Sequence, residues 1–102
     1  EVMYQLCLDA KGRLLSCRKV CEGDASSVGL NLRKIVENAL LCNAVLVALA
    51  HNHPSGVALP SHEDKIATLH VKEALEAVNV RLADHIIVAD DDYVSFRQEG
   101  LL

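Results

Sequence analysis

The stretch Ala44-Val45-Leu46-Val47-Ala48-Leu49-Ala50 constrains this chain more than any other part of it. It is continuously apolar yet short, and its two valines favour a buried central strand over a helix. The flanking sequence supplies partners for such a strand. Val2 to Leu8 alternates loosely and ends at the turn signal Asp9-Ala10-Lys11-Gly12, after which Arg13 to Val20 reads as the second strand of a hairpin. Glu22 to Gly29 is loop-like. From Asn31 onward, Leu32, Ile35, Val36, Ala39 and Leu40 follow a helical period and predict a helix to about Cys42. His51-Asn52-His53-Pro54-Ser55-Gly56 reads as a loop, because Pro-Ser-Gly breaks both kinds of element. Ser61 opens a second helix with the stripe Ala67, Val71, Ala74, Leu75 and Val78. Asp84 to Ala89 reads as a strand, Asp90-Asp91-Asp92 as a turn and Tyr93 to Phe96 as the last strand. Two helices interleaved with about five strands predict the α/β class, a mixed β-sheet sandwiched by helices.

At 102 residues, positions 1–102 read as one domain with no room for a second core. The hydrophobic share of 51% is ample to fill that core. No apolar run approaches the ~18 residues that span a bilayer, so no membrane segment is expected. The start, Glu1-Val2-Met3-Tyr4, lacks the basic opening and apolar stretch of a signal peptide and goes straight into strand-like sequence. It reads as the C-terminal part of a longer protein. A net charge of -4, with Arg13, Arg18, Arg33 and Lys34 scattered, weighs against nucleic-acid binding by this region alone. Any such contact is left to parts of a longer protein. Tyr4, Tyr93 and Phe96 are too few for a base-stacking platform. Cys7, Cys17, Cys21 and Cys42 form no Cys-x-x-Cys pair and read as reduced residues of a cytoplasmic protein. An exposed edge strand could pair with a second copy, but nothing in the sequence requires an oligomer.

The chemistry gathers behind the apolar run. If the backbone stays extended through Asn52, His51 and His53 project on the same side, since strand side chains alternate. The segment from Pro54 to Pro60 can fold back and bring Asp64, in the first turn of the next helix, to the same place. Two imidazole nitrogens and one carboxylate oxygen leave a fourth tetrahedral position for water, the ligand count of a catalytic rather than a structural zinc site. Zinc held this way would bring its water to a pKa of about 7. A second reading stands beside this one. Ser61-His62-Glu63-Asp64 is a capping box, in which Ser61 and Asp64 serve helix stability alone. Both readings hold together only if Asp64 swings toward the metal and Ser61 faces the site.

His51-x-His53, seven residues, Ser61, two residues and Asp64 resemble the His-x-His-x7-Ser-x2-Asp signature of the JAMM (JAB/MPN) metalloproteases. The wider set His51 to Gly56, Pro60-Ser61, Glu63-Asp64, Asp84-His85-Ile86-Ile87 and Tyr93 to Phe96 is similar to the bacterial RadC subfamily, along essentially the whole chain. The resemblance implies a cytidine-deaminase-like α/β sandwich with zinc bound by His51, His53 and Asp64. It implies that Ser61 stabilises the oxyanion of a tetrahedral intermediate, a contribution of about 3 kcal/mol for a well-aimed donor. It also implies an upstream glutamate as general base, and Glu1 stands in that position. Glu22 is the runner-up by position but matches no family pattern, and Glu37 reads as a solvated helix residue.

The remaining polar residues near the motif carry smaller expectations. Asn52, Ser55 and Gly56 shape the loop, Gly56 through a positive φ. Asp84 and His85 could support the site from the next strand, with Asp84 orienting a metal-binding histidine, or could merely fix a strand end. His62 and His70 read as surface residues, and Asp90-Asp91-Asp92 lacks the glycine and distal glutamate of a calcium loop. The leading functional expectation is a zinc-dependent metallopeptidase or isopeptidase acting on a peptide or isopeptide substrate. The alternative is a DNA-repair-associated or nuclease module of the RadC type, since a zinc-activated water also attacks phosphodiesters. A non-catalytic module with a retained metal ranks third, because structural zinc sites fill all four positions with protein groups.

Overall fold

Buried Met3, Gln5 and Cys7 alternate with more exposed Tyr4, Leu6 and Leu8, so Val2–Leu8 forms a strand with one inward face, β1. The computed structural model describes residues 1–23 and 30–102, so most of the loop expected over Glu22 to Gly29 lies outside the described residues. Asp9 closes the first turn, its carboxylate accepting the Lys11 and Arg13 N–H groups at 2.9 Å each. β2 follows as Leu14–Glu22 and pairs antiparallel with β1. The apolar run becomes β3, Leu46–Asn52, in the middle of a five-stranded sheet of order β2-β1-β3-β4-β5. β4 is Arg81–Ala89 and β5 is Asp92–Ser95. β3 runs antiparallel to β1 and parallel to β4, and β4 pairs antiparallel with β5, which makes the sheet mixed as expected.

The boundaries differ from the sequence reading where pairing overrides local composition. His51 and Asn52 belong to β3 rather than to a loop, because His51 pairs with Met3 on one side and Ile87 on the other. The strand therefore continues past the last apolar residue. Ala44 and Val45 fall outside it, their N–H groups donating to Ala39 and Leu8 carbonyls. β2 runs two residues beyond Val20 because Cys21 and Glu22 find partners in Met3 and Val2. β4 begins at Arg81 rather than Asp84, since Leu46 and Val47 pair with Arg81 and Leu82.

α1 spans Leu32–Leu41, with the Asn31 side chain accepting the Lys34 N–H as N-cap. α2 spans His62–Glu76 and is the crossover that a parallel β3–β4 pair demands. Both helices pack on the same face of the sheet. Gln5 pairs with Leu49 and Leu49 with His85, which puts the three side chains on one face. α1 reaches that face where Asn38 Nδ2 donates to Gln5 Oε1 at 3.0 Å, and α2 reaches it where Thr68 Oγ1 lies 2.7 Å from His85 Nδ1. Gln5 in turn donates to the Ile35 carbonyl at 2.8 Å, so this buried amide pair is satisfied.

Ile35, Ala39, Val47, Leu49, Val71, Leu75 and Leu82 form the main core between sheet and helices. Full burial of side chains such as Val47 and Leu49 stabilises the fold by about 1.5–3 kcal/mol each. The opposite sheet face, with Tyr4 and Val88 at 44% and 42% exposure, carries no helix among the described residues. A smaller cluster of Ala58, Ile87, Ala89 and Phe96 packs near the carboxyl ends of β3 and β4. Those ends lie together because the strands are parallel, and open α/β sheets place their ligand sites there.

Candidate metal centre

His51 is buried on the helical face near the end of β3. One further ladder bond, from the His53 N–H to the Val88 carbonyl at 2.9 Å, keeps the backbone extended past Asn52. His53 therefore projects to the same side as His51, as alternation requires. The two Nε2 atoms lie 3.0 Å apart. His53 Nδ1 sits 2.9 Å from the Val57 carbonyl, which can only accept, so Nδ1 carries a proton and Nε2 is the nitrogen turned toward His51 and Asp64.

The segment after His53 turns back through Gly56 at φ +83° and delivers α2 to the same place. Asp64 Oδ2 stands 3.1 Å from His53 Nε2, and Oδ1 stands 3.5 Å from His51 Nε2. At the same time the capping box is complete. The Ser61 N–H donates to Asp64 Oδ2 at 2.9 Å, and the Asp64 N–H donates to Ser61 Oγ at 3.0 Å. The two readings of this carboxylate are thus one geometry. Asp64 need not swing away from the helix to meet the imidazoles, because N3 of α2 already lies beside them.

Glu1 comes in from the other strand neighbour. Asn52 Oδ1 accepts the Val2 N–H at 2.7 Å and pins the start of β1 against the end of β3. The Glu1 side chain is 5% exposed, and its Oε1 lies 3.8 Å from His51 Nε2. Oε1 is buried without a hydrogen-bond partner among the described residues. Ligand-capable atoms of Glu1, His51 and His53 all lie within 4.8 Å of one another, a cluster able to hold a metal ion. Imidazole nitrogen facing nitrogen, a carboxylate against both rings and a buried carboxylate oxygen unpartnered among the described residues together form a donor set that suits a divalent cation with mixed N/O preference.

The electrostatics agree with that chemistry. Burial pushes His51 below the ordinary histidine value, with Asp64 opposing, which favours the neutral imidazole that metals bind. Burial alone would raise the Asp64 carboxyl. The Ser61 hydrogen bonds and the two histidines outweigh it and hold Asp64 below the usual carboxylate value. Burial raises Glu1, with His53 opposing part of the shift. The two carboxylates thus diverge, one held as an anion and one more ready to take a proton.

An open cleft of about 270 Å³ leads to the cluster, lined by Glu1, His53 and Ser61 together with apolar Pro54, Val57 and Leu59. Ser55 lies on the same cleft, its Oγ accepting the Val57 N–H at 3.4 Å. Gly56 is hemmed in, since a Cβ there would lie 2.7 Å from Asp90 Oδ2. Gly56→Ala is expected to destabilise the protein by about 1–2 kcal/mol through its positive φ, read as a fall in urea midpoint. Because Asp90 itself has φ +51°, the comparison is made within the Asp90→Gly background, where the steric contact is gone: Gly56→Ala costing nothing there contradicts a conformational origin.

Among the other residues singled out from the sequence, Asp84 does not orient either histidine. Its carboxylate accepts the Ser95 O–H at 2.6 Å and the His85 and Arg97 N–H groups at 2.7 and 3.0 Å, fixing the C-terminal turn. His85, by contrast, reaches the site, with Nε2 2.7 Å from His51 Nδ1. Glu22 pairs with Lys19 at 3.1 Å, and Glu37, His62 and His70 are exposed, so none of them joins the cluster. Thr68 was not anticipated. Its signal was available as the polar member of the buried stripe Thr68, Val71 and Leu75, four residues after Asp64.

Residues 1–101 match the family described as the RadC-like JAB domain. A UPF0758 protein of Coxiella burnetii is 43% identical over 102 residues, all of this chain and 46% of that protein. One from Nitrosococcus oceani is 44% identical over the same span, again covering 46% of its length. A third, from Burkholderia cenocepacia, is 41% identical and is covered over 40% of its length. The chain thus spans less than half of each of these relatives, whose names state no activity.

Proposed function

The chain belongs to the family of RadC-like JAB domains, and from that premise we propose that it is a zinc-dependent hydrolase cleaving amide or isopeptide bonds. The observation that carries this reading is the convergence of the His51 and His53 Nε2 atoms, 3.0 Å apart, with the Asp64 carboxylate on one side and Glu1 on the other. In the proposal His51, His53 and Asp64 hold the ion, an open three-ligand set that leaves a position for water. Zinc bound there supplies Lewis acidity and lowers the pKa of water toward about 7.

The chain's own groups account for the remaining chemistry. Glu1, buried and raised in pKa, is suited to take a proton from the attacking water and return it to the leaving amine. Ser61 Oγ accepts the Asp64 N–H, which leaves its own O–H to donate into the cleft toward a developing oxyanion. Pro54, Val57 and Leu59 give the cleft an apolar wall. A neutral carbonyl suits this cleft better than a phosphodiester, because among the described residues it is lined by Glu1 and by no lysine or arginine. The DNA-directed alternative therefore needs cationic surface from elsewhere in a longer protein. Unbridged Cys7, Cys17 and Cys42 support a reducing compartment, and so the cytoplasm. No described helix is long and apolar enough to cross a membrane.

The test is hydrolysis of a mixed peptide and lysine-isopeptide amide library by protein loaded with zinc. Cleavage that stops on chelation and returns with zinc is the expected result. Failure to bind zinc, or binding with cleavage of a phosphodiester panel and of no amide, overturns the assignment.

A further inference from the structure

Behind His51 a chain of hydrogen bonds runs through three elements and closes on a second residue of the cluster. Thr68 Oγ1 lies 2.7 Å from the Asp64 carbonyl, one helical turn earlier, and 2.7 Å from His85 Nδ1. A hydroxyl has one proton, and the carbonyl can only accept, so Thr68 donates to Asp64 and must accept from His85. His85 Nδ1 therefore carries a hydrogen. A charged ring buried at 1% exposure with no carboxylate on either nitrogen would be costly, so His85 is neutral, and its Nε2, 2.7 Å from His51 Nδ1, must accept from His51. That puts the His51 proton on Nδ1 and leaves its Nε2 lone pair turned toward His53 and Asp64. His85 is itself 1% exposed and stacked on Phe96 at a centroid distance of 4.6 Å and an angle of 18°, so its ring has little freedom to turn.

We propose that His85 and Thr68 are positioning residues, whose directed hydrogen bonds hold His51 as the Nδ1–H tautomer and tie it to the first turn of α2. The inference rests on the metal-centre reading above and adds residues outside the four that converge there. Partners of this kind behind a metal-binding histidine typically contribute 10–100-fold in metal affinity. The chain also couples two proposed ligands from different elements. His51 rides on β3 and Asp64 on α2, and the link between them passes through β4, so their spacing is set without the ion.

The experiment has two readouts on the same proteins. Long-range ¹H–¹⁵N spectra of the metal-free protein report which nitrogen of each ring carries the proton, and cobalt(II) titration against a chromophoric chelator reports affinity. The parent is expected to show Nδ1–H at both His51 and His85. Thr68→Val, nearly isosteric but without the hydroxyl, is expected to lose the single tautomer at His85 and to weaken cobalt binding by about 10–100-fold. Thr68→Ser restores both, which a purely packing role for the threonine does not predict. His85→Phe gives the same loss of affinity with the stack on Phe96 kept. His51 protonated on Nε2 alone in the parent, or Thr68→Val leaving tautomer and affinity unchanged, overturns the proposal. A parent that binds no cobalt but shows the expected tautomers, shifted in Thr68→Val, sinks the metal reading and leaves the hydrogen-bond chain standing.

Discussion

Asp64→Ala is expected to abolish zinc retention, from about one ion per chain to a small fraction of that, and to weaken the start of α2 in the same stroke. The carboxylate has two tasks, facing both imidazoles and accepting the Ser61 N–H. Two further substitutions separate them. Asp64→Asn keeps an oxygen for the Ser61 N–H but removes the anionic ligand, so it should lose zinc with little loss of stability. Ser61→Ala removes the other half of the box, costs about 1 kcal/mol and should keep the metal. Elemental analysis after gel filtration, with thermal unfolding of the metal-free forms, reads all three. Zinc retained in Asp64→Asn and lost in Glu1→Gln would assign the ion to the Glu1, His51 and His53 cluster instead.

Glu1→Gln is expected to lower kcat by about 10²–10⁴-fold with zinc content unchanged, the range for loss of a general acid–base group. The same change should raise the stability of the metal-free protein at neutral pH. Burial lifts the Glu1 pKa above its ordinary 4.5, so the unfolded chain ionises first as pH rises and the buried carboxylate favours unfolding. Removing the charge therefore helps the fold above that pH, and the advantage disappears below it, where both states are protonated. Opposite signs for activity and stability mark a group kept for chemistry at the expense of the fold. A variant that loses activity and stability together at neutral pH would instead make Glu1 a structural residue.

The ligand pair was legible because its geometry is local. Residues two apart on a strand share a side, and the strand persists through Asn52 because β1 pairs with it at His51 and β4 at Asn52. The helix start was legible from Ser61 and Asp64 for the same reason, since a capping box lies within four residues. What local pattern could not supply was register. His85 meets His51 only because β3 and β4 run parallel with Leu49 opposite His85. Glu1 reaches the cluster only because Met3 pairs with His51. Thr68 looks like one tolerated hydroxyl in an apolar stripe until His85 is placed above it. Of the two roles open to Asp84, the structure shows the one that fixes a strand end. Adjacent in sequence to His85, it points to the other side of β4 and serves Ser95 and Arg97.

His51 rides on the strand at the centre of the sheet, with paired neighbours on both sides, and His53 follows just past its end, held by one bond to Val88. Glu1 stands at the first residue before β1, and Asp64 in the opening turn of a helix. Amide exchange follows such differences, with strand interiors opening only as the whole molecule opens and element ends fraying far more often. Protection should therefore be deepest around Leu49 to His51 and shallow at Val2 and at the start of α2. Partial opening would take the base away first and the carboxylate ligand next, while the His51 ring stays in place until the sheet itself is lost.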